Sequence, residues 1–128
     1  MKFIMPNGSE SRAETVVSEN NTAKTLGSGS IDVFATPAMI ALMEEAANLS
    51  TEKHLPEGYI SVGIEINVSH LSASGLGEEV YAISKLEKQE GKKLFFSIEA
   101  FDSKNKIGKA THIRYIVEES SFMERLNQ

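Results

Sequence analysis

Thr36, Glu44, Glu45 and His70 are the residues whose types and spacing fit acid–base or nucleophilic chemistry in this chain. His70 is the most informative. Imidazole titrates near neutral pH and needs only a small shift to serve as a general base; the same residue could instead simply close the edge of a core. Thr36 stands directly before Pro37, so its hydroxyl reads first as a helix N-cap. That position also lies beside free backbone N–H groups and the positive end of a helix dipole, the groups that stabilise an oxyanion in acyl transfer. Glu44 and Glu45 read as a solvated helix face, or one of them overhangs a sheet and hydrogen-bonds the histidine. Triads vary in chain order, so the order Thr, Glu, His is no obstacle.

Other chemistries find no footing. The chain has no cysteine, which excludes disulfides, thiolate zinc sites and a cysteine nucleophile. His54, His70 and His112 lack paired-ligand spacing, so no metal is expected. Gly27-Ser28-Gly29-Ser30 lacks the preceding strand and the third glycine of a dinucleotide loop.

The elements that must position these residues follow from periodicity. From Pro37 to about Ser50 there is no glycine, and Met39, Ile40, Leu42, Met43, Ala46, Ala47 and Leu49 occupy one arc of about 180°. Such a helix should be buried against a sheet, with Glu44 and Glu45 just beyond opposite edges of the stripe. Ile60, Val62, Ile64, Ile66 and Val68 then alternate on one strand face, and His70 continues that parity toward the helix. Further strands are expected over Val80–Lys88, Leu94–Phe101 and Ile107–Val117, a short first strand over Ala13–Ser18, and a closing helix over Ser121–Leu126. Asn20–Ser30 reads as a loop or an irregular first strand, and residues 1–10 as a loose arm on a single domain spanning 1–128.

One helix followed by a meander of long strands gives an α+β chain, an antiparallel sheet wrapped around one central helix: the outline of a hot-dog fold, with a cystatin-like roll as another solution. Leu94, Phe96, Ile98 and Ala100 alternate with Phe95 and Phe101, so both sheet faces are apolar and one helix cannot cover them. A homodimer or higher even oligomer joined at strand edges is expected.

Composition narrows the partners. With 13 basic against 18 acidic residues the net charge is −5, so no basic face for nucleic acid is expected. No stretch approaches the ~20 apolar residues of a membrane span, and the N-terminus lacks a signal-peptide pattern; the expectation is a cytoplasmic protein with no membrane partner.

Val33-Phe34-Ala35-Thr36 leading into Met39-Ile40-Ala41-Leu42-Met43-Glu44-Glu45-Ala46, Ser61-Val62-Gly63 through Val68-Ser69-His70, and Gly108-Lys109-Ala110-Thr111-His112-Ile113-Arg114 together resemble the hot-dog-fold acyl-CoA thioesterases of the fluoroacetyl-CoA thioesterase type. The resemblance extends from about Val33 to Val117 without a gap. It implies hydrolysis of an acyl-CoA thioester with Thr36, Glu44 and His70 as catalytic residues, which selects Glu44 over Glu45. Coenzyme A is then part of the substrate and no cofactor is implied. It also places Gly63 and Arg114 at the acyl end of the pocket, with Phe34 completing the substrate-binding set. Arg114 shares a strand face with His112, opposite Ile113 and Tyr115, which by itself reads as a surface arginine on the outer sheet face. The family's best-known member carries lid phenylalanines ahead of the helix. Here Gly27-Ser28-Gly29-Ser30-Ile31-Asp32 offers none before Phe34, so selection for a fluorinated acyl group does not carry over. The competing readings are a hydratase or dehydratase acting on acyl thioesters through His70 and a carboxylate, and a non-catalytic acyl-CoA binding module.

Overall fold

The long helix that periodicity predicts forms over Thr36–His54 (α2) and buries Met39, Leu42, Met43, Ala46 and Ala47, the middle of the expected arc. Ile40 and Leu49, at the arc's edges, are half-buried. In this computed structural model, which describes residues 3–128, the other elements are β1 (Glu10–Val16), α1 (Ala23–Leu26), β2 (Tyr59–His70), β3 (Glu79–Glu90), β4 (Lys93–Phe101), β5 (Lys106–Glu118) and α3 (Glu119–Leu126). The strands make one antiparallel sheet in the order β1-β3-β4-β5-β2, curled around α2. The core lies between them, filled by Leu86, Leu94, Phe96, Ile98 and Ile107 from the sheet and by the helix methionines. β2 is an edge strand twelve residues long.

Three expectations change. First, the strand carrying His70 does not keep one parity. A bulge between Gly63 and Glu65 leaves Ile64 without a partner on β5, so residues on either side point to opposite faces. Ile66, Val68 and His70 face the helix as expected, but Ile60 and Val62 pair with Val117 and Tyr115 on the outer face, while Ser61 and Gly63 turn inward. Second, residues 3–9 are not loose. Met5 is buried, its N–H donates to Gln89 Oε1 at 2.8 Å, and Gly8 and Ser9 exchange backbone hydrogen bonds with Leu86. The first two residues of that arm lie outside the described residues. Third, part of Asn20–Ser30 is a one-turn helix, α1, capped by Thr22, whose hydroxyl accepts from the Thr25 N–H.

Two features seat the start of α2. Phe34 and Ala35 donate their N–H groups to Ser74 and Asn21 carbonyls at 2.8 and 2.9 Å, which fixes the chain just before the helix. Gly108, opposite His70 on β5, leaves room for Met39: a Cβ there would lie 2.5 Å from Met39 Sδ. The first turn of α2 therefore lies directly over the end of β2 that carries His70.

Candidate active site

Thr36 is the first residue of α2, not its cap. Ala35 takes the cap position and contributes no side-chain bond, so the Thr36 hydroxyl is released from the capping role expected of it. It points instead to His70, with Thr36 Oγ1 2.7 Å from His70 Nδ1. The pair opens into a cavity of about 350 Å³ lined also by Phe34, Leu71, Ser72 and Ala73. Larger openings of about 460 and 660 Å³ lie elsewhere, the first on the outer face around Arg12 and Tyr81, the second beside Phe3 and Tyr59. Neither brings a hydroxyl and an imidazole together. Phe34 is 1% exposed and belongs chiefly to the core.

Burial pushes His70 below the usual histidine range, with the Ser72 backbone pulling the other way. His70 therefore favours the neutral form, which can accept a proton. With the Thr36 O–H donating to Nδ1, the ring proton sits on Nε2, and that atom is buried without a hydrogen-bond partner among the described residues. An orphaned buried N–H costs about 1–3 kcal/mol, so an acceptor from outside this chain would be favoured there. Around the pair, first-turn amides supply the donors an oxyanion needs. Pro37 has none, and Phe34, Ala35 and Met39 spend theirs on Ser74, Asn21 and Ala35 carbonyls, which leaves Thr36 and Ala38 among the described residues.

Glu44 is not beside His70 within one chain. Eight residues along α2 carry it about 12 Å from Thr36, and it sits at the level of Gly63, seven residues and roughly 20 Å along β2 from His70. Its carboxylate fills the space a Gly63 side chain would occupy: a Cβ there would lie 2.6 Å from Glu44 Oε2 and 3.0 Å from His112 Cε1. Glu44 Oε2 is 3.8 Å from His112 Nε2, and the Glu44 side chain remains 41% exposed. Glu45 is exposed on the other side of the helix.

Arg114 is not a surface arginine. It is 7% exposed on the inner face, opposite Gly63, because β5 turns Ala110, His112, Arg114 and Ile116 toward the helix and the apolar Ile113 and Tyr115 away from it. Its Nε donates to Ser61 Oγ at 2.8 Å, and Nη2 donates to the Ser61 carbonyl at 2.9 Å and Asn48 Oδ1 at 3.3 Å. Thr51 and Ser61 hydroxyls meet at 2.9 Å beneath it. Sequence reasoning missed Asn48, Ser61 and His112 in this cluster. The shared parity of His112 and Arg114 was the one available signal.

A prediction follows from the two inward histidines. Burial lowers His112 as it does His70, reinforced by Arg114 and opposed by the Glu65 carbonyl and Glu44. The unfolded chain takes up protons near pH 6.5, whereas the folded chain resists them until lower pH. The unfolded state thus binds more protons in that window. The stability these groups contribute is full above about pH 6.5 and falls as pH drops through it. Denaturant midpoints measured between about pH 7.5 and 5.5 should decline toward acid, and an unchanged midpoint would contradict the neutral assignment of both rings.

Comparison with known proteins converges on one group. Residues 17–120 match the family described as fluoroacetyl-CoA-specific thioesterase. The chain is 33% identical over 97 residues to the fluoroacetyl-CoA thioesterase of Streptantibioticus cattleyicolor, covering 76% of this chain and 70% of that protein. A crystal structure of a variant of the fluoroacetyl-CoA-specific thioesterase FlK superposes with TM-score 0.90 at 29% identity, over 99% of this chain and 98% of that one. A thioesterase superfamily member from Thermus thermophilus gives 0.87 at 27% identity, over 97% and 94%. The curled sheet around α2 is the hot-dog fold, and the chain belongs to the fluoroacetyl-CoA-specific thioesterase family.

Proposed function

We propose that this protein is an acyl-CoA thioesterase whose working site is built by two copies of the chain. The observation that carries the reading is the Thr36–His70 hydrogen bond in an open cavity at the start of α2. His70 Nδ1 takes a proton from the Thr36 hydroxyl, or from a water which that hydroxyl holds. The activated oxygen attacks the thioester carbonyl, the Thr36 and Ala38 amides receive the negative charge, and the proton passes to the departing sulfur. Where the oxygen is that of Thr36, a water deprotonated by His70 then cleaves the acyl ester, and the proton returns to the threonine oxygen. Water and acyl-CoA become the free acid and coenzyme A. No separate cofactor takes part. A cytoplasmic location belongs to the same reading and rests on the CoA-thioester substrate.

The carboxylate comes from Glu44 of a second copy. Antiparallel pairing of two β2 edges runs the Gly63 end of one strand toward the His70 end of the other, bringing the neighbouring Glu44 toward the unpartnered Nε2. There it would accept the Nε2 proton and steady the charged ring. Glu44→Gln should lower turnover about tenfold or more, while Glu45→Gln should stay close to wild type. Equal effects, or the reverse order, would refute this assignment.

The test of the function is thiol release across short, branched, aromatic and long acyl-CoAs. Release above the uncatalysed rate from at least one is expected. Binding without release from any would favour a non-catalytic acyl-CoA module, and hydration of an enoyl-CoA without release would favour a hydratase.

A further inference from the structure

We propose that His112 is a positioning residue that fixes the Arg114 guanidinium, through a single ring tautomer, on the inner face of the sheet opposite Gly63. The hydrogen bonds leave only one protonation pattern. His112 Nδ1 is 2.8 Å from the Glu65 carbonyl, which can only accept, so Nδ1 carries the proton. His112 Nε2 is 3.1 Å from Arg114 Nη1, which can only donate, so Nε2 is an unprotonated acceptor. The ring is 1% exposed, and burial also favours its neutral form.

The Glu65 carbonyl borders the β2 bulge, so the irregularity at Ile64 and the orientation of His112 belong to one device. Its effect is to exhaust the arginine's choices. Of the five guanidinium N–H groups, Nε–H goes to Ser61 Oγ, both on Nη2 go to the Ser61 carbonyl and Asn48, and one on Nη1 goes to His112. One N–H remains, on Nη1, and Nη1 lies 3.5 Å from where a Gly63 side chain would begin. That N–H, the one donor of the guanidinium without a partner among the described residues, faces the space beside Gly63 that the Glu44 carboxylate enters. Without the His112 acceptor the guanidinium would be held only from its Nε and Nη2 side, and the Nη1 end would lose its one anchor.

Only the kinetic arm of the test rests on the thioesterase reading. Histidine ¹⁵N NMR on the full chain at neutral pH should show His112 protonated at Nδ1 and bare at Nε2; a proton on Nε2 would overturn the proposal. His112→Gln places an amide oxygen where Nε2 was, whereas His112→Asn keeps only the donor to Glu65. Arginine ¹⁵N spectra should show Arg114 with separate Nη1 and Nη2 signals in the wild type and His112→Gln. In His112→Asn the two signals should broaden by faster exchange, as the Nη1 end loses its anchor while the Ser61 and Asn48 bonds remain. Identical Arg114 spectra in all three proteins would overturn the proposal even if no thioester is ever cleaved. With an acyl-CoA substrate in hand, His112→Asn should raise KM about tenfold with kcat little changed, and His112→Gln should restore it. Loss of kcat at constant KM in His112→Asn would contradict the positioning role.

Discussion

Replacing His70 with alanine should lower thioester turnover by about 10²–10⁴-fold, the range that a positioned general base supplies. The fold should survive the change. His70 stands at the last position of β2, half-buried, and its ring's side-chain hydrogen bond is to Thr36. The Leu71 N–H that follows bonds the Ile107 carbonyl at 2.7 Å, so the strand end is held by backbone without the imidazole. Thiol release and a denaturant midpoint should be measured on the same preparation. A loss below about tenfold, or a loss matched by unfolding, would make His70 a structural residue that closes the core edge.

Phe34→Ala should act in the opposite sense, on stability first. Phe34 is 1% exposed, packs in the main core and donates its N–H to the Ser74 carbonyl two residues before Thr36. Truncating a buried phenylalanine removes apolar contact and leaves a cavity, at a cost of about 3–5 kcal/mol. In a chain of this size that lowers the melting temperature by roughly 10 °C or more. A residue that served only to bind substrate would give a raised KM at unchanged melting temperature, and that result would remove Phe34 from the core account. The predicted outcome is a large thermal shift, followed by loss of turnover as the Thr36 segment loosens.

These expectations depend on features of unequal legibility in the sequence. The inner stripe of α2 was readable because a 3.6-residue period over fourteen glycine-free positions has one interpretation. The pairing of Thr36 with His70 and a curled antiparallel sheet also followed from pattern and family resemblance, but the strand order did not. A meander would put β2 beside β3, whereas β2 crosses to the far edge and pairs with β5. The path of β2 did not, because alternation counts residues and cannot see that Ile64 is bulged out of register. The sequence points Arg114 outward for a related reason. On β5 the inner face holds His112 and Arg114, and the outer face holds Ile113, Tyr115 and Val117, so hydrophobicity points the wrong way. Burial of that arginine becomes intelligible only once Ser61, Asn48 and His112 are seen to satisfy its donors. The placement of Glu44 was legible as far as its helix edge. Its distance from His70 was not: the resemblance implies Thr36 and Glu44 of one copy working beside strand residues of the partner, whereas Thr36 here bonds His70 of its own chain.

The measurement that tests the account most directly is therefore made on mixed dimers. Chains carrying His70→Ala and chains carrying Glu44→Gln would be co-expressed in equal amounts, and thiol release from acyl-CoA compared with each variant alone. If His70 of one copy works with Glu44 of the other, roughly half of the assemblies regain one intact site of two, and activity should rise to about a quarter of wild type. If both residues serve the same site within one chain, no intact site can form. Activity no higher than the mean of the two parent variants would contradict a site shared between two chains.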